Sequence, residues 1–248
     1  MKTKSINWLF IIICVVALFV GCAPKAETDL LECDAATMTQ FPYNENGVIV
    51  AKHQKITPVA EHPGMVKIET YYVNEGKPIT VRAYEMCRTE VEATDSVVWS
   101  LQPSSTSGRL DWVLPVTEGF KKENYLGMNN TDYGGGIPVV DLWQRDGGVA
   151  IGLIEPVLRM ISMPVEWKRY ENKVSMSLRY EFEWPVELNT GDTLHTFTAF
   201  RYEHKGDFFN ALRAFSEVMQ KDAGIELPAS EPEAFEPVWC AWGYERTF

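Results

Sequence analysis

The sequence predicts a mainly β protein in which antiparallel sheets form a sandwich and one C-terminal helix follows them. Between Gly47 and His204, short apolar and β-branched runs alternate with turn signals, and no helical pattern separates the runs. Strands that follow one another without helices between them favour a sandwich over a parallel sheet. Residues 206–236 carry a helical repeat and then a proline-rich stretch, which predicts a helix and a linker.

The clearest strand runs from Val174 to Phe182. Apolar side chains occupy every second position of this run, and polar side chains occupy the positions between them. A period of two is typical of a half-buried strand. Runs of similar composition predict further strands at residues 66–68, 79–87, 97–101, 137–143 and 149–154.

Turn residues separate these runs. The main clusters are Asn74–Gly76, Asp146–Gly148 and Asn189–Asp192. The pair Asp146 and Gly147 predicts a tight hairpin, because both turn positions of such a hairpin favour positive φ.

The helix that follows the strands is indicated by four apolar residues at helical spacing. These residues are Phe208, Leu212, Phe215 and Met219. Asp207 is placed to cap the N-terminus of this helix, and Gly224 is placed to end it.

The N-terminus has the parts of a secretory signal peptide. Lys2 and Lys4 precede an uncharged apolar run at residues 11–20, and Gly21 then stands before Cys22. The run is shorter than the roughly 20 apolar residues that span a bilayer, so a cleaved signal is favoured over the alternative, an uncleaved membrane helix.

Residues 18–22 resemble the lipobox of bacterial lipoproteins, in which Cys22 would carry the lipid. Residues 1–21 are then a lipoprotein signal peptide and residues 22–46 a tether. Buried acyl chains make a durable anchor. The expected location is therefore the cell envelope, in the periplasm or at the outer-membrane surface.

The charge of the chain argues against one class of partner. The formal net charge is −11, so the chain lacks the basic footprint that binds a phosphate backbone. We therefore expect no nucleic acid partner.

The cysteines and histidines indicate no metal site. Cys33, Cys87 and Cys240 have no close spacing, and the four histidines show neither metal-ligand spacing nor a His-Glu-x-x-His motif. We expect buried or unpaired thiols, core or surface histidines, and no metal or cofactor.

Three segments resemble the α-galactosidases and related enzymes of glycoside hydrolase family 36. They are Asp132–Asp141, Gly148–Glu155 and Pro237–Tyr244, the last with the sequence Trp-Cys-Ala-Trp. In that family an N-terminal β-supersandwich precedes a (β/α)8 barrel, and a Trp-Cys-x-Trp type sequence lies on the first barrel strand. The resemblance implies that residues 47–205 form the supersandwich and that residues 237–248 form a truncated stub of the first barrel strand.

The resemblance also implies retaining hydrolysis of α-galactosides by two aspartates on later barrel strands. A retaining mechanism holds two carboxyl groups about 5 Å apart on a rigid scaffold. Both positions follow Phe248 in the family's order, so no aspartate of this chain inherits either role. The expected function is that of a lipid-anchored, non-catalytic front domain, inactive alone, which supports a barrel that acts on α-galactoside oligosaccharides.

Four residues of the C-terminal segment are candidate sugar contacts in an intact enzyme. Trp239 and Trp242 offer rings that stack on a sugar, and Glu245 and Arg246 follow the strand at the place where barrel active sites gather their residues. The alternative for the two tryptophans is a domain-interface core.

A second group of candidate sugar contacts consists of Asp132, Tyr133 and Asp141. They flank Gly134–Gly136, and glycines allow a loop to approach a ligand closely. The alternative is a tight turn between two strands.

Two other function classes remain open on the sequence. One is a surface lipoprotein that binds carbohydrate without hydrolysing it, and the other is a purely structural or interaction domain. The first would use exposed aromatic rings among Trp99, Trp112, Trp143, Trp167 and Trp184.

Overall fold

Strands with alternating apolar residues pair into two antiparallel sheets, and one helix packs on the second sheet. The computed structural model describes residues 30–33, 39–40, 43–45, 48–93, 97–102, 112–126, 136–157, 159–168, 170–226 and 228–231. Their strands are β1 (Leu30–Cys33), β2 (Thr39–Gln40), β3 (Tyr43–Glu45), β4 (Val48–Pro58), β5 (Met65–Asn74), β6 (Ile79–Glu92), β7 (Val98–Leu101), β8 (Val113–Val116), β9 (Lys121–Lys122), β10 (Tyr125–Leu126), β11 (Val139–Gln144), β12 (Gly147–Leu153), β13 (Ile161–Ser162), β14 (Val165–Lys168), β15 (Lys173–Leu188), β16 (Thr193–His195) and β17 (Ala199–Lys205), and their helix is α1 (Phe208–Ala223).

The two sheets have different strand orders. The first sheet runs β10-β13-β15-β6-β1-β2, with β14 beside β15 and β9 beside β14. The second runs β3-β4-β5-β17-β12-β11-β7-β8, with β16 beside β5. The described pairs are antiparallel throughout, as a succession of strands without crossover helices requires.

The predicted period of two on β15 places its apolar face in the core between the sheets. Val174, Met176 and Leu178 are fully buried there, and Tyr180 and Phe182 pack at the margin. The opposite sheet contributes residues such as Val140, Leu142 and Ile151. The sandwich predicted from the sequence is therefore confirmed, and the buried apolar area between its sheets is its main source of stability.

The outer face of β15 differs from the expected half-buried strand. Ser175 and Ser177 lie on that face and are nevertheless buried. Both serines lie on a strand flanked by β6 and β14, and the Ser175 hydroxyl lies 3.5 Å from the Glu166 carbonyl oxygen.

The predicted turns at Asn74–Gly76 and Asn189–Asp192 lie side by side and are joined by hydrogen bonds. The Asn74 backbone N–H donates to the Asp192 carbonyl oxygen at 3.0 Å, and the Gly191 N–H donates to the Asn74 carbonyl oxygen at 2.6 Å. The buried Asn74 amide also donates to the carbonyl oxygens of Lys77 and Leu188, each at 2.9 Å. These bonds satisfy backbone groups that would otherwise be buried without partners.

The hairpin predicted at Asp146 and Gly147 is present, one residue earlier than expected. Gln144 pairs with Gly147, so Arg145 and Asp146 form the loop between β11 and β12. Gly147 has already joined the strand ladder, where it also pairs with Lys205.

Helix α1 covers the outer face of the second sheet and starts and ends as the sequence predicts. The Asp207 carboxylate accepts a hydrogen bond from the Phe209 N–H at 3.1 Å, and Gly224 ends the helix with φ 61°. A second, smaller core lies between helix and sheet. Its buried members are Met65, Val139, Ala150, Ile154, Phe200, Ala211, Ala214 and Val218.

Three strands lie inside residues 22–46, where the sequence predicts a tether. Residues Leu30–Cys33 pair with β6 on the side opposite β15, and Tyr43–Glu45 pairs with β4. Strand β6 would otherwise present a row of unpaired backbone groups along its free edge, which an added strand satisfies.

Among the described residues, no helix has both the length and the apolar content needed to cross a bilayer.

Removal of the N-cap of α1 tests how much the capping hydrogen bond stabilises the protein. Substituting Asp207→Ala removes the acceptor for the Phe209 N–H, and we expect the free energy of unfolding to fall by about 1 kcal/mol. Urea denaturation followed by circular dichroism measures the change. Asp207→Asn keeps a capping oxygen and is the control, expected within a few tenths of a kcal/mol of the unsubstituted protein. Equal stability of Asp207→Ala and Asp207→Asn would contradict the capping role.

Candidate functional site

The outer face of the second sheet contains a buried pair of ionisable side chains beneath the start of α1. Asp141 lies on β11 and His204 on β17, with β12 between these two strands. The His204 Nε2 atom lies 3.0 Å from the Asp141 Oδ1 atom, and both side chains are fully buried. The pair joins residues that are 63 positions apart in the sequence.

Small residues on the middle strand make this contact possible. Gly148 lies opposite both Trp143 and His204, and Ala150 lies opposite Asp141. A Cβ atom at Gly148 would lie 2.5 Å from the Trp143 Cβ atom. The absence of a side chain at Gly148 therefore allows the close approach of Trp143, and His204 reaches across β12 to Asp141.

Both ring nitrogens of His204 face acceptors. Nε2 faces the Asp141 carboxylate, and Nδ1 lies 3.3 Å from the Lys205 carbonyl oxygen. An imidazolium donates at both nitrogens, whereas a neutral ring donates at only one. The surroundings therefore favour the protonated form of His204.

The pKa values of the two side chains are both raised. Burial raises the pKa of the Asp141 carboxyl above its ordinary 3.8, and the hydrogen bond with His204 offsets only part of this rise. Burial acts to lower the pKa of His204, but the hydrogen bond to Asp141 and its negative charge outweigh burial, so the pKa lies above the ordinary 6.5. The folded protein therefore holds protons at this pair more tightly than the unfolded chain does.

An open cavity of about 380 Å³ lies beside the pair, between β17, the start of α1 and the segment that precedes β5. Its lining residues are His62, Pro63, Tyr202, Glu203, His204, Lys205, Asn210, Arg213 and Ala214. Lys205 and Arg213 are both exposed, and the carboxylate of Glu203 pairs with Arg201 at 2.7 Å. The residues that line the cavity thus include charges of both signs and the aromatic residue Tyr202.

A second groove, of about 330 Å³, lies at the other end of α1. Its charged groups are paired with one another: Lys67 contacts Asp222 at 2.5 Å, and Lys55 contacts Glu69 at 2.6 Å. The charged groups of this groove therefore compensate one another.

The tryptophans named as possible sugar platforms differ in exposure. Trp184 is 76% exposed, Trp112 41% and Trp99 39%, whereas Trp143 is buried and Trp167 is half-buried. Trp184 lies in the part of β15 between Glu181 and Val186 where pairing with β6 is interrupted. Trp143 instead packs against Phe208 at a ring distance of 5.3 Å.

Of the candidate sugar contacts predicted from the sequence, only Asp141 falls among the described residues. Its Oδ1 atom bonds to His204, and its buried Oδ2 atom has no hydrogen-bond partner in the described part of the chain. The contact of Asp141 with sugar stays a prediction. Asp132, Tyr133, Trp239, Trp242, Glu245, Arg246 and the lipidation residue Cys22 lie outside the described residues.

Sequence reasoning did not single out His204, Lys205 or Arg213 as parts of a site. One signal was available: in the run of residues 139–143, Asp141 is charged and its four neighbours are apolar. A carboxylate inside a buried strand requires a partner, but the sequence does not say which residue supplies it. The described residues contain no group of three or more His, Cys, Asp or Glu side chains arranged to hold a metal ion.

Known proteins of similar sequence or fold match about three quarters of this chain. No protein-family profile matches the chain. An "A type blood alpha-D-galactosamine galactosaminidase" of Flavonifractor plautii is 24% identical over 216 residues, which cover 76% of this chain and 19% of that enzyme. The chain therefore spans about a fifth of the length of this curated relative.

Two solved structures share the fold. One is the galactosidase domain of an α-galactosidase-sucrose kinase, with a TM-score of 0.53 and 13% identity over 73% of this chain and 30% of that chain. The other is a glycoside hydrolase family 36 α-galactosidase of Geobacillus stearothermophilus in complex with raffinose, with a TM-score of 0.51 and 11% identity over 75% and 31% of the two chains. The expected fold, the N-terminal β-supersandwich of family 36 α-galactosidases, is therefore confirmed.

The raised pKa values predict how stability varies with pH. The unfolded histidine loses its proton near pH 6.5 and the folded His204 at a higher pH, so the stabilisation is complete below about pH 6.5 and is lost as the pH rises through the folded pKa. For one proton, the free energy of unfolding should fall by up to about 1.4 kcal/mol per pH unit in that window. Urea denaturation at intervals between pH 5.5 and 9 measures this slope.

Two variants separate this pair from the other histidines. The double variant Asp141→Asn with His204→Gln replaces the pair by neutral amides and should lose the slope. His195→Gln changes an exposed histidine and should keep it. A slope that survives unchanged in the double variant would show that other groups cause the pH dependence.

Proposed function

We propose that this chain is the front, non-catalytic β-domain of an α-galactosidase-like glycoside hydrolase, and that it supports a (β/α)8 barrel. The observation that carries the proposal is the match to the curated galactosaminidase, which covers three quarters of this chain and a fifth of that enzyme. The shared fold with family 36 structures, over about 30% of their length, supports it further. In this proposal the barrel carries the chemistry, and the sandwich gives it a rigid neighbour.

The described residues support a structural role on chemical grounds. A retaining glycosidase needs two carboxyl groups about 5 Å apart beside a sugar cleft. The one deeply buried aspartate beside the cavity, Asp141, is engaged by His204 at 3.0 Å. Glu85, the buried glutamate of β6, pairs with Arg88 at 2.8 Å. Each of these two buried acids is therefore engaged by a cationic side chain of the fold.

The natural substrate class is proposed from the same relatives. One family 36 structure holds raffinose, and the curated relative is named for galactosamine. We propose that the intact enzyme to which this domain belongs acts on α-linked galactose-type oligosaccharides.

A hydrolysis assay tests the non-catalytic role. The purified 248-residue chain, incubated with aryl α-galactoside and aryl α-N-acetylgalactosaminide, should release no aryl alcohol above the rate in buffer, because in this proposal the barrel supplies the catalytic pair. An intact α-galactosidase in the same assay is the positive control. Turnover that copurifies with the chain and disappears on denaturation would contradict the proposal.

A second candidate function is carbohydrate binding without hydrolysis. Trp184 favours it, because a largely exposed indole at a break in strand pairing is suited to stacking on a sugar. Titration with raffinose, followed by tryptophan fluorescence, distinguishes the two functions. Saturable binding that Trp184→Ala abolishes and Trp99→Ala retains would favour the binder, whereas a scaffold gives no saturable change.

We also propose attachment to the cell envelope through lipid on Cys22. The support is the order of Lys2 and Lys4, an apolar run and the pair Gly21 and Cys22.

Expression in a Gram-negative host tests the anchor. The unsubstituted chain should sediment with membranes and incorporate labelled palmitate, whereas Cys22→Ser should lose the label, because the acyl chains that hold the protein are gone. Cys14→Ser removes a cysteine from the apolar run and should leave labelling intact. Equal labelling of Cys22→Ser and the unsubstituted chain would exclude Cys22 as the lipidated residue.

A further inference from the structure

Helix α1 buries few side chains toward its C-terminus. Its fully buried residues are Ala211, Ala214 and Val218, so its last two turns, residues 217–223, contain one of them. The other residues of these turns are half-buried or exposed. Apolar burial, which is the main stabilising contribution in a packed layer, therefore holds these turns through Val218 and the half-buried Met219.

Charged contacts add to this hold on the end of α1. Three residues of the last two turns pair with residues outside the helix: Lys221 with Glu61, Asp222 with Lys67 at 2.5 Å, and Glu217 with the His62 Nε2 atom at 3.2 Å. Two of these partners, Glu61 and His62, lie in the turn between β4 and β5. We call this turn, residues 59–64, the strap.

The strap is itself fixed to the second sheet. Its two ends close on each other, since the Val59 N–H donates to the Met65 carbonyl oxygen at 3.0 Å. It also contacts β17, where the Glu203 N–H donates to the Gly64 carbonyl oxygen at 3.0 Å. Gly64 has φ 94°, and a Cβ atom there would lie 2.5 Å from the Glu203 carbonyl oxygen, so this close approach favours glycine. The strap backbone is therefore held by β5 and β17, while two of its side chains reach α1.

The contacts between the strap and α1 are partly open to solvent. The side chains of Glu61 and Lys221 are 53% and 67% exposed, and that of Glu217 is 55% exposed. The hydrogen bond from Lys221 lowers the pKa of the Glu61 carboxyl below its ordinary value, so Glu61 is charged at neutral pH. Dissolved salt weakens ion pairs that solvent reaches. The hold of the strap on α1 therefore depends on ionic strength.

We propose that the strap is a charge-operated latch on α1. It holds the last two turns of the helix on the sheet, and these turns open while the sandwich stays folded when its ion pairs are screened or removed. Local opening of this kind occurs where few apolar side chains are buried. The chain leaves the helix at Gly224, directly after these turns, so the latch sets the position of the segment that follows. In the proposed function this segment leads to the barrel, but the latch rests only on contacts within the described residues.

Native-state hydrogen exchange on the full 248-residue chain tests the latch. At low ionic strength and a fixed pH, the backbone amides of residues 217–223 should exchange faster than those of β6 and β15, because the end of α1 opens without unfolding of the sheets. Sodium chloride at about 0.5 M should speed exchange in residues 217–223 by about two- to fivefold relative to β6, because it screens the ion pairs. NMR or mass spectrometry of peptic fragments measures both rates.

Matched double variants assign the effect to the strap. Glu61→Gln with His62→Gln removes both of its charged contacts and should speed exchange in the last two turns of α1 by about three- to tenfold. Glu69→Gln with His195→Gln makes the same two replacements elsewhere on the second sheet, where Glu69 pairs with Lys55 at 2.6 Å, and should leave exchange in α1 unchanged. Thermal melting of both double variants establishes that each is folded before exchange is compared.

Three outcomes would overturn the proposal. The first is equal exchange in the last two turns of α1 for the two double variants, which would show that the strap contacts do not hold the helix. The second is acceleration that reaches β6 and β15 to the same extent, which would show a loss of global stability in place of local opening. The third is exchange in the unsubstituted chain that salt leaves unchanged, which would show that charge does not operate the contact.

Discussion

The second sheet must bury both of its faces, and this constraint governs the rest of the structure. Its inner face packs on the first sheet, and its outer face packs under α1. Strands in such a middle layer leave little room for side chains on the helix side. Strand β12 meets this limit with Gly148, Ala150 and Gly152. At Gly152 a Cβ atom would lie 2.6 Å from the Phe200 ring, so the glycine leaves the space that the ring occupies.

The buried pair of Asp141 and His204 is a consequence of the same close packing. Small residues on β12 open a path between two strands that are not neighbours, and a carboxylate placed there needs a cation. Such a pair costs desolvation, and removal of one partner alone leaves a buried charge that typically costs about 3–5 kcal/mol. The pair therefore links β11 to β17 across the intervening strand β12.

Charged side chains around the second sheet contact neighbours of opposite charge. Lys67 of β5 pairs with Asp222 of α1, which joins the helix to the sheet that it covers. Arg201 pairs with Glu203 along β17. In the buried layer the same matching joins His204 to Asp141.

The sequence by itself determined the sandwich, helix α1 from its Asp207 cap to Gly224, and the turns at Asn74 and Asn189, because periodicity, caps and turns are encoded within a few neighbouring residues. Only the tertiary structure decided that the hairpin after β11 turns at Arg145 and Asp146, that Leu30–Cys33 extends the first sheet, and that Asp141 meets His204. These features depend on register between strands far apart in the chain, and register follows from packing of whole faces. The cavity was decided in the same way, since Lys205 and Arg213 share it only because α1 folds back over β17.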